Sequence, residues 1–389
     1  MRILSVHSSY QIRGGEDESR EAEERLLREM DHSVEVYEEN NERVATVNPM
    51  GMAFRTIWSL EAYETVRHRL AGQSHDVVHV QNFFPLISPS VYYAAKAEGV
   101  PVVQTLRNYR LLCPNALFFR HGQPCEDCLG KSVPWPSVLH GCYRKSRTAS
   151  GAVAAMLIVH RAMRTWSNMV DVYIALTEFA RQKFIEGGLP AKKIVVKPNF
   201  VHPDPKTGQG RGGYALFVGR LSVEKGLDTL LAAWEQLGGQ VPLKIVGDGP
   251  LSSKVAQTAK RLSHVEWLGR RSLEEVYALM GEAMVVIFPS EWYETFGRVA
   301  VEAFAKGTPA IAANIGASTE LIDHGRTGLH FRPGDSEDLA AKVEWALVHP
   351  GELARMRQEA RAEFEVKYTA QQNYRRLMEI YTLACSVVD

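Results

Sequence analysis

Two glutamates eight positions apart, Glu294 and Glu302, stand in the stretch SEWYETFGRVAVEAF at 290–304. The apolar run MVVIF at 284–288 reads as a buried strand of a parallel sheet. Pro289 and Ser290 close it and a helical pattern starts near Gly297, so Glu294 falls on a strand-to-helix loop and Glu302 about two turns into the helix. In open α/β sheets, ligands lie outside the carboxyl ends of the strands. The amides of Thr295, Phe296 and Gly297, at a helix start, would suit an anion there. Glu294 would bring a negative charge to the same place, and a carboxylate beside a phosphate needs hydroxyls between them. A sugar joined to a diphosphate supplies both, because hydroxyls donate to carboxylates and phosphate oxygens accept from amides. A solvated loop residue and an exposed helix charge would explain an isolated pair equally well, so the other motifs must decide.

Several of them gather at the same kind of edge. YALFVGRLSVEKGLDTLLAAW reads as strand, loop and helix, with Gly219, Arg220 and Lys225 on the loop, and PLKIVGDGPL turns at Gly247 and Gly249. Two cations near 4 Å from a diphosphate are worth up to ~4 kcal/mol each at an effective dielectric of 20, before desolvation. In the first half, RILSVHS reads as a strand and RGGEDESREAEERLL as a loop entering a charged helix. Gly14 and Gly15 let the backbone approach a ligand there, or serve a tight turn, without forming G-x-G-x-x-G. His79 and Gln81 share one face of the strand DVVHVQ, followed by Asn82, and Arg107 ends the strand PVVQTL. His79 would be a satisfied structural residue or a catalytic one.

Positioning these residues takes two alternating strand–helix halves. Strands are expected near 2–7, 34–37, 77–80, 100–104, 171–175 and in KIVVKPNFV, with a helix at 178–186. HPDPKTGQGRGG, 202–213, is rich in Pro and Gly and reads as the linker. The rhythm then resumes through HVEWLGRRSLEEVYALM, TPAIAAN and TGLHF, and the alternation implies parallel sheets with crossover helices. With 389 residues there is chain for two cores, and equal counts of 45 basic and 45 acidic residues give no field that argues for nucleic acid. No apolar run reaches a membrane span, and Met1 leads directly into a strand-like run. The expected location is therefore cytoplasmic, with or without peripheral contact at the inner face of the membrane.

An insertion over about 107–148 breaks the rhythm and carries Cys113, Cys125, Cys128 and Cys142. A C-x-x-C pair with two outlying cysteines could close a structural zinc site, hold an iron–sulfur cluster, or be ordinary thiols. The next helix, about 147–167, carries AVAAMLIV between Arg144, Lys145, Arg147, Arg161 and Arg164. It reads as a core-facing helix with solvated ends, or as a membrane-surface contact of the first half.

VGRLSVEKG, VGDGP, the E-x7-E stretch and GTPAIAANIGASTELIDHGRTGLHF resemble the nucleotide-binding half of the family 4 glycosyltransferases, of GT-B fold, and the RGGED loop and His79 strand fit their acceptor half. The resemblance implies two Rossmann-like α/β domains facing across a cleft. Residues 1–201 would form the acceptor domain and 214–367 the nucleotide-sugar domain, with a C-terminal helix at 368–389 crossing back to the first. It further implies retaining transfer of a sugar from a UDP- or GDP-sugar donor to an acceptor hydroxyl, in polysaccharide, glycolipid or other glycoconjugate synthesis. Arg220 and Lys225 would neutralise the leaving diphosphate, Glu302 would hold the ribose and Glu294 the donor sugar. Gly14, Gly15, Gly219, Gly247, Thr295, Phe296 and Gly297 would line the donor site, with 266–270 near the base. His79, Gln81 and Asn82 would face a carbohydrate, lipid-linked or small-molecule acceptor. No cofactor is required for catalysis in such enzymes, and no D-x-D metal motif occurs here. Arg107 and Gln81 stand where that family commonly has histidines. An always-protonated arginine can stabilise charge but cannot accept a proton. A front-face reaction, in which the leaving phosphate takes the acceptor's proton, survives this change. A catalytically impaired nucleotide-sugar-binding protein or a nucleotide-sugar epimerase is the alternative.

Overall fold

The computed structural model describes residues 1–9 and 14–386, so 10–13 of the first glycine loop lie outside the described residues. Two compact units emerge: Met1–Phe118 with Cys125–Asn199 and Asn373–Asp389, and Phe119–Pro124 with Phe200–Gln372.

In the first unit, β1 (Arg2–Ser9), β2 (Ser33–Asn40), β3 (Val77–Asn82), β4 (Val102–Leu106), β5 (Val172–Ala175) and β6 (Ile194–Val196) form, among the described residues, a parallel sheet ordered β2-β1-β3-β4-β5-β6. The strand order reverses between β1 and β3, which is where an open sheet leaves a crevice at its carboxyl edge. β3, β4 and β5 are buried along their whole length, as strands covered on both faces are. Ile3, Val77, Val103, Val172 and Ile174 meet Leu27 of α1 (Gly15–Glu29) and Leu377, Ile380, Tyr381 and Ala384 of the C-terminal helix Ala370–Ser386. Each such aliphatic side chain contributes ~1.5–3 kcal/mol on burial. The C-terminal helix thus belongs to the first unit's core from Asn373 onward. Further helices are α2 (Pro49–Ile57), α3 (Trp135–Leu139) and α4 (Arg147–Ala162). The expected helix 147–167 stops early because Arg164 takes a left-handed φ of 53°, after which only the short turn Thr165–Asn168 follows.

The second unit repeats the architecture with β7 (Ala215–Val218), β8 (Leu243–Val246), β9 (Val265–Gly269), β10 (Val285–Phe288), β11 (Ala310–Ala313) and β12 (Gly328–Phe331), ordered β9-β8-β7-β10-β11-β12. Here the order reverses between β7 and β10. These are the two strands that feed α5 (Leu227–Leu237) and α6 (Arg298–Ala305). Trp234 of α5 is fully buried in the core, and its indole nitrogen donates to the Val241 carbonyl at 2.8 Å.

The stretch expected as a linker, 202–213, has no regular secondary structure, yet it is not loose. The amides of Gly208, Gly210 and Gly212 each donate at 2.9 Å to backbone carbonyls, of Lys306, Gly281 and Glu282. Asp204 accepts both arms of Arg361 at 2.9 and 2.8 Å. A Cβ on Gly208 would lie 2.1 Å from the Gly281 Cα, so glycine is required for this segment to lie flat on the second unit.

Candidate active site

The carboxyl edge of the second sheet gathers the motif residues through backbone contacts between loops. Gly219 donates to the Val246 carbonyl at 3.0 Å, and Leu221 to that of Asp248 at 3.0 Å. Gly247 sits at a φ of 138°, and a Cβ there would come within 1.9 Å of the Gly219 carbonyl, so the loops after β7 and β8 meet backbone to backbone. The loop after β10 joins them: Glu291 donates its amide to the Glu224 carbonyl at 3.0 Å, and Thr229 donates its hydroxyl to the Glu291 carboxylate.

Glu294 is the centre of this edge. Three donors converge on its Oε1: Lys225 Nζ as an ion pair, Ser290 Oγ at 2.7 Å and Trp292 Nε1 at 3.2 Å. The Lys225 ammonium also lies 5.5 Å from the centre of the Trp292 ring. Glu294 and Lys225 are half-buried, which strengthens the pair while leaving both within reach of a ligand. Arg220 is exposed at the same loop cluster. Thr295, Phe296 and Gly297 are buried, and Gly297 caps α6 without a side-chain hydrogen bond. Glu302 is the fifth residue of α6, just over one turn in rather than two, and is 5% exposed; Arg298 donates to it at 2.7 Å from one turn earlier. The side chains of Ser290 and Trp292 were not singled out by sequence, although their place beside Glu294 is the signal that could have found them.

The carboxyl edge of the first sheet is built differently. His79 is 1% exposed and engaged at both ring nitrogens, with the Tyr381 hydroxyl at 2.7 Å and the Thr105 hydroxyl at 2.8 Å. Gln81 shares its face, as expected, and donates to Glu23 at 2.8 Å. Arg107 is 5% exposed and donates to Gln81 Oε1 from Nε at 3.0 Å and Nη2 at 2.6 Å, and to Asn199 at 3.2 Å. Lys197 donates to Glu23 at 2.7 Å and to Asn373 of the C-terminal helix at 3.3 Å. Asn82 ties Ser8 to Phe84 through its two side-chain atoms. His79, Gln81 and Asn82 are thus buried and hydrogen-bonded within the first unit. The recess beside them, lined by Gln81, Asn82, Phe84, Arg107, Asn108 and Arg110 among others, measures ≈ 20 Å³, room for about one water. Glu23, Lys197, Asn199, Asn373 and Tyr381 were missed; a lysine inside the apolar run KIVVKP was the available sign.

Charge in this network is set by burial and pairing. Burial alone would raise the Glu23 carboxyl, but Lys197, His79 and Arg107 together bring it down to about 2. Burial pushes the His79 imidazole down to about 4, helped by Lys197 and Arg107 and opposed by Glu23. Because His79 is then neutral near pH 7, the cations facing Glu23 are Lys197 and Arg107.

Gly14 donates its amide to Asp17 at 3.1 Å, and Glu16, Asp17 and Glu18 fill the first turn of α1. That turn thus carries acidic side chains beside the helix's positive end. Among the described residues the four cysteines of the insertion form no disulfide; burial, with the nearby charges of Cys113, Cys142 and Cys125, pushes the Cys128 thiol up to about 11. Among the described residues, no group of three or more His, Cys, Asp or Glu side chains is arranged to hold a metal ion.

Comparison with known proteins extends these observations. The family model described as glycosyl transferases group 1 matches residues 204–363, and the one described as glycosyl transferase 4-like domain matches 19–199. An uncharacterized glycosyltransferase of Methanocaldococcus jannaschii is 30% identical over 213 residues, covering 54% of this chain and 59% of that protein. The glycogen synthase of Mycobacterium tuberculosis is 36% identical over 163 residues, covering 40% and 38%. The chain thus spans about two fifths to three fifths of the length of these relatives. In structure, HepE of Anabaena, crystallised with UDP-glucose, superposes with a TM-score of 0.70 at 20% identity over 98% of this chain and 99% of that one. Sucrose-phosphate synthase of Thermosynechococcus elongatus gives 0.74 at 16% identity over 99% of each.

Proposed function

Because this chain belongs to the family 4-like glycosyltransferases of GT-B fold, we propose that it transfers a sugar from a nucleotide-sugar donor, a UDP- or GDP-sugar, to an acceptor hydroxyl. The observation that carries the reading is the convergence of Lys225, Ser290 and Trp292 on Glu294 Oε1 at the strand-order reversal of the second sheet. A donor arriving there would exchange partners: its diphosphate oxygens would take Lys225 and Arg220, and its sugar hydroxyls would donate to Glu294. Glu302, low on α6, would take the ribose hydroxyls. As the glycosidic bond breaks, the leaving phosphate gains negative charge, and cations already in place stabilise it.

The reading includes retention of configuration and independence of a catalytic metal. The leaving phosphate would accept the acceptor's proton on the front face, so no histidine base is needed. Arg107 is then a positioning residue, holding Gln81 and Asn199 rather than touching substrate. Relatives named for polysaccharide and O-antigen synthesis support a glycoconjugate acceptor. The buried Arg107–Gln81 pair, where the resembling family commonly has histidines, favours one second reading, a binding protein with impaired turnover. A panel of UDP-, GDP- and ADP-sugars with carbohydrate and lipid-linked acceptors tests both. Transfer that Glu294→Ala reduces by ~10²–10³, with a product of unchanged anomeric configuration, supports the enzyme. Binding of one donor with no transfer or hydrolysis across the panel supports the binding protein.

A further inference from the structure

From Cys128 to Val170 the chain holds six cations, Lys131, Arg144, Lys145, Arg147, Arg161 and Arg164, and no acidic residue, although the whole chain is charge-balanced. All but Arg161 are exposed. Arg144, Lys145 and Arg164 sit at φ of 54°, 53° and 53°, a left-handed backbone that non-glycine residues seldom adopt, so the surrounding fold holds these three cations outward at some cost. Arg147 and Arg161 donate to backbone carbonyls of Leu139 and Lys131, which fixes the segment 131–139 against them.

The apolar counterpart is not the AVAAMLIV run. Val153, Ala154, Met156 and Leu157 of α4 face the core, as its core-facing reading expects. Elements packed against it supply the exposed apolar groups. α2 and α3 both pack on α4. α2 and its exit present Met50, Phe54 and Leu60 at 72, 68 and 59% exposure, and α3 presents Trp135 and Leu139 at 56 and 52%. The acids nearest α2, Glu39 and Glu61, are engaged by Arg43 and Arg55. These exposed apolar and aromatic groups thus adjoin the cation-rich segment of α3 and α4, with Glu61 ion-paired beside Leu60.

We propose that this face of the first unit docks on an anionic phospholipid surface, with Phe54, Trp135 and Leu139 entering the headgroup layer and the cations meeting lipid phosphates. Charge complementarity selects that occupant. Exposed aromatic and aliphatic side chains beside a segment, Cys128 to Val170, that holds six cations and no carboxylate match the interfacial layer of an anionic bilayer. A nucleic acid would use the cations but leave Met50, Phe54, Leu60 and Leu139 without a role, and a protein partner would not require phospholipid.

Co-flotation of the full chain with vesicles tests this. We expect binding to phosphatidylcholine vesicles containing about one third phosphatidylglycerol at least tenfold stronger than to phosphatidylcholine alone, and lost near 0.5 M salt. Phe54→Glu with Trp135→Glu should abolish binding, while Arg144→Gln with Lys145→Gln should remove most of the preference for phosphatidylglycerol. These side chains are exposed, and an unchanged unfolding midpoint confirms the fold of each variant. Equal binding to both vesicle types, no binding to either, or binding untouched by both variants would overturn the proposal. Because vesicle binding is read without donor or acceptor, its outcome is independent of whether the chain transfers sugar.

Discussion

The carboxyl edges of the two sheets start from the same topology and end in opposite chemistry. In the first unit the edge residues are saturated: His79, Gln81, Arg107, Lys197 and Glu23 are all buried and hydrogen-bonded to one another or to the C-terminal helix. In the second, Lys225 and Glu294 are half-buried and Arg220 is exposed, so the charges meet each other and solvent. A buried, fully paired network resists change, because each group's partner is needed to offset its desolvation. A half-buried pair can trade its partner for a ligand at small cost. The first edge is thus a frame and the second a binding surface.

Breaking the frame should have the largest effect on stability. Lys197→Met leaves the Glu23 carboxylate buried without its main cation, and should lower stability by ~3–5 kcal/mol. Urea unfolding reads this; an unchanged midpoint would mean that the network does not hold the first unit. Breaking the binding surface should instead cost rate. Lys225→Ala and Glu294→Ala should each reduce donor turnover by ~10²–10³ while moving the unfolding midpoint little, and the reverse pattern would erase the contrast.

Acid sharpens the comparison. His79 titrates near 4 in the folded chain against 6.5 unfolded, so the unfolded chain takes the proton first and stability falls as pH drops from 6.5 toward 4. Glu23 sits at about 2 against 4.5, so its contribution is full above pH 4.5 and is lost between 4.5 and 2. Each shift corresponds to about 3 kcal/mol. In His79→Gln the loss between pH 6.5 and 4 should flatten; an unaltered profile would place that acid sensitivity elsewhere. Tyr381→Phe removes one hydrogen bond from His79 and should cost ~1 kcal/mol. Chelation should change least. Donor turnover should persist, and metal analysis of the purified chain decides whether the four cysteines hold zinc.

Much of this was legible in the sequence. Alternating apolar runs and glycine-rich turns marked the parallel strands, and E-x7-E with VGRLSVEK marked the residues that meet after β7 and β10. The helix 178–186 falls where its pattern places it. What sequence could not supply was which polar residues are interior. His79 and Gln81 alternate as strand residues do, but periodicity cannot show that Tyr381 of the C-terminal helix bonds His79 and that both strand residues are buried. Gly14 looked like an open amide because the partner of its N–H, Asp17, reads from sequence as an ordinary acid of a charged helix. The glycine-rich 202–213 reads as a linker, and periodicity could not reveal its bonds to a distant backbone.

The most direct test is hydrogen exchange with and without saturating UDP-glucose, GDP-mannose or ADP-glucose. The account predicts that one donor slows exchange at 219–226 and 290–297 while leaving the already protected 77–82 and 102–107 unchanged. Protection confined to the first unit, or to neither unit with any of the three, would contradict the assignment of the donor site to the edge around Glu294.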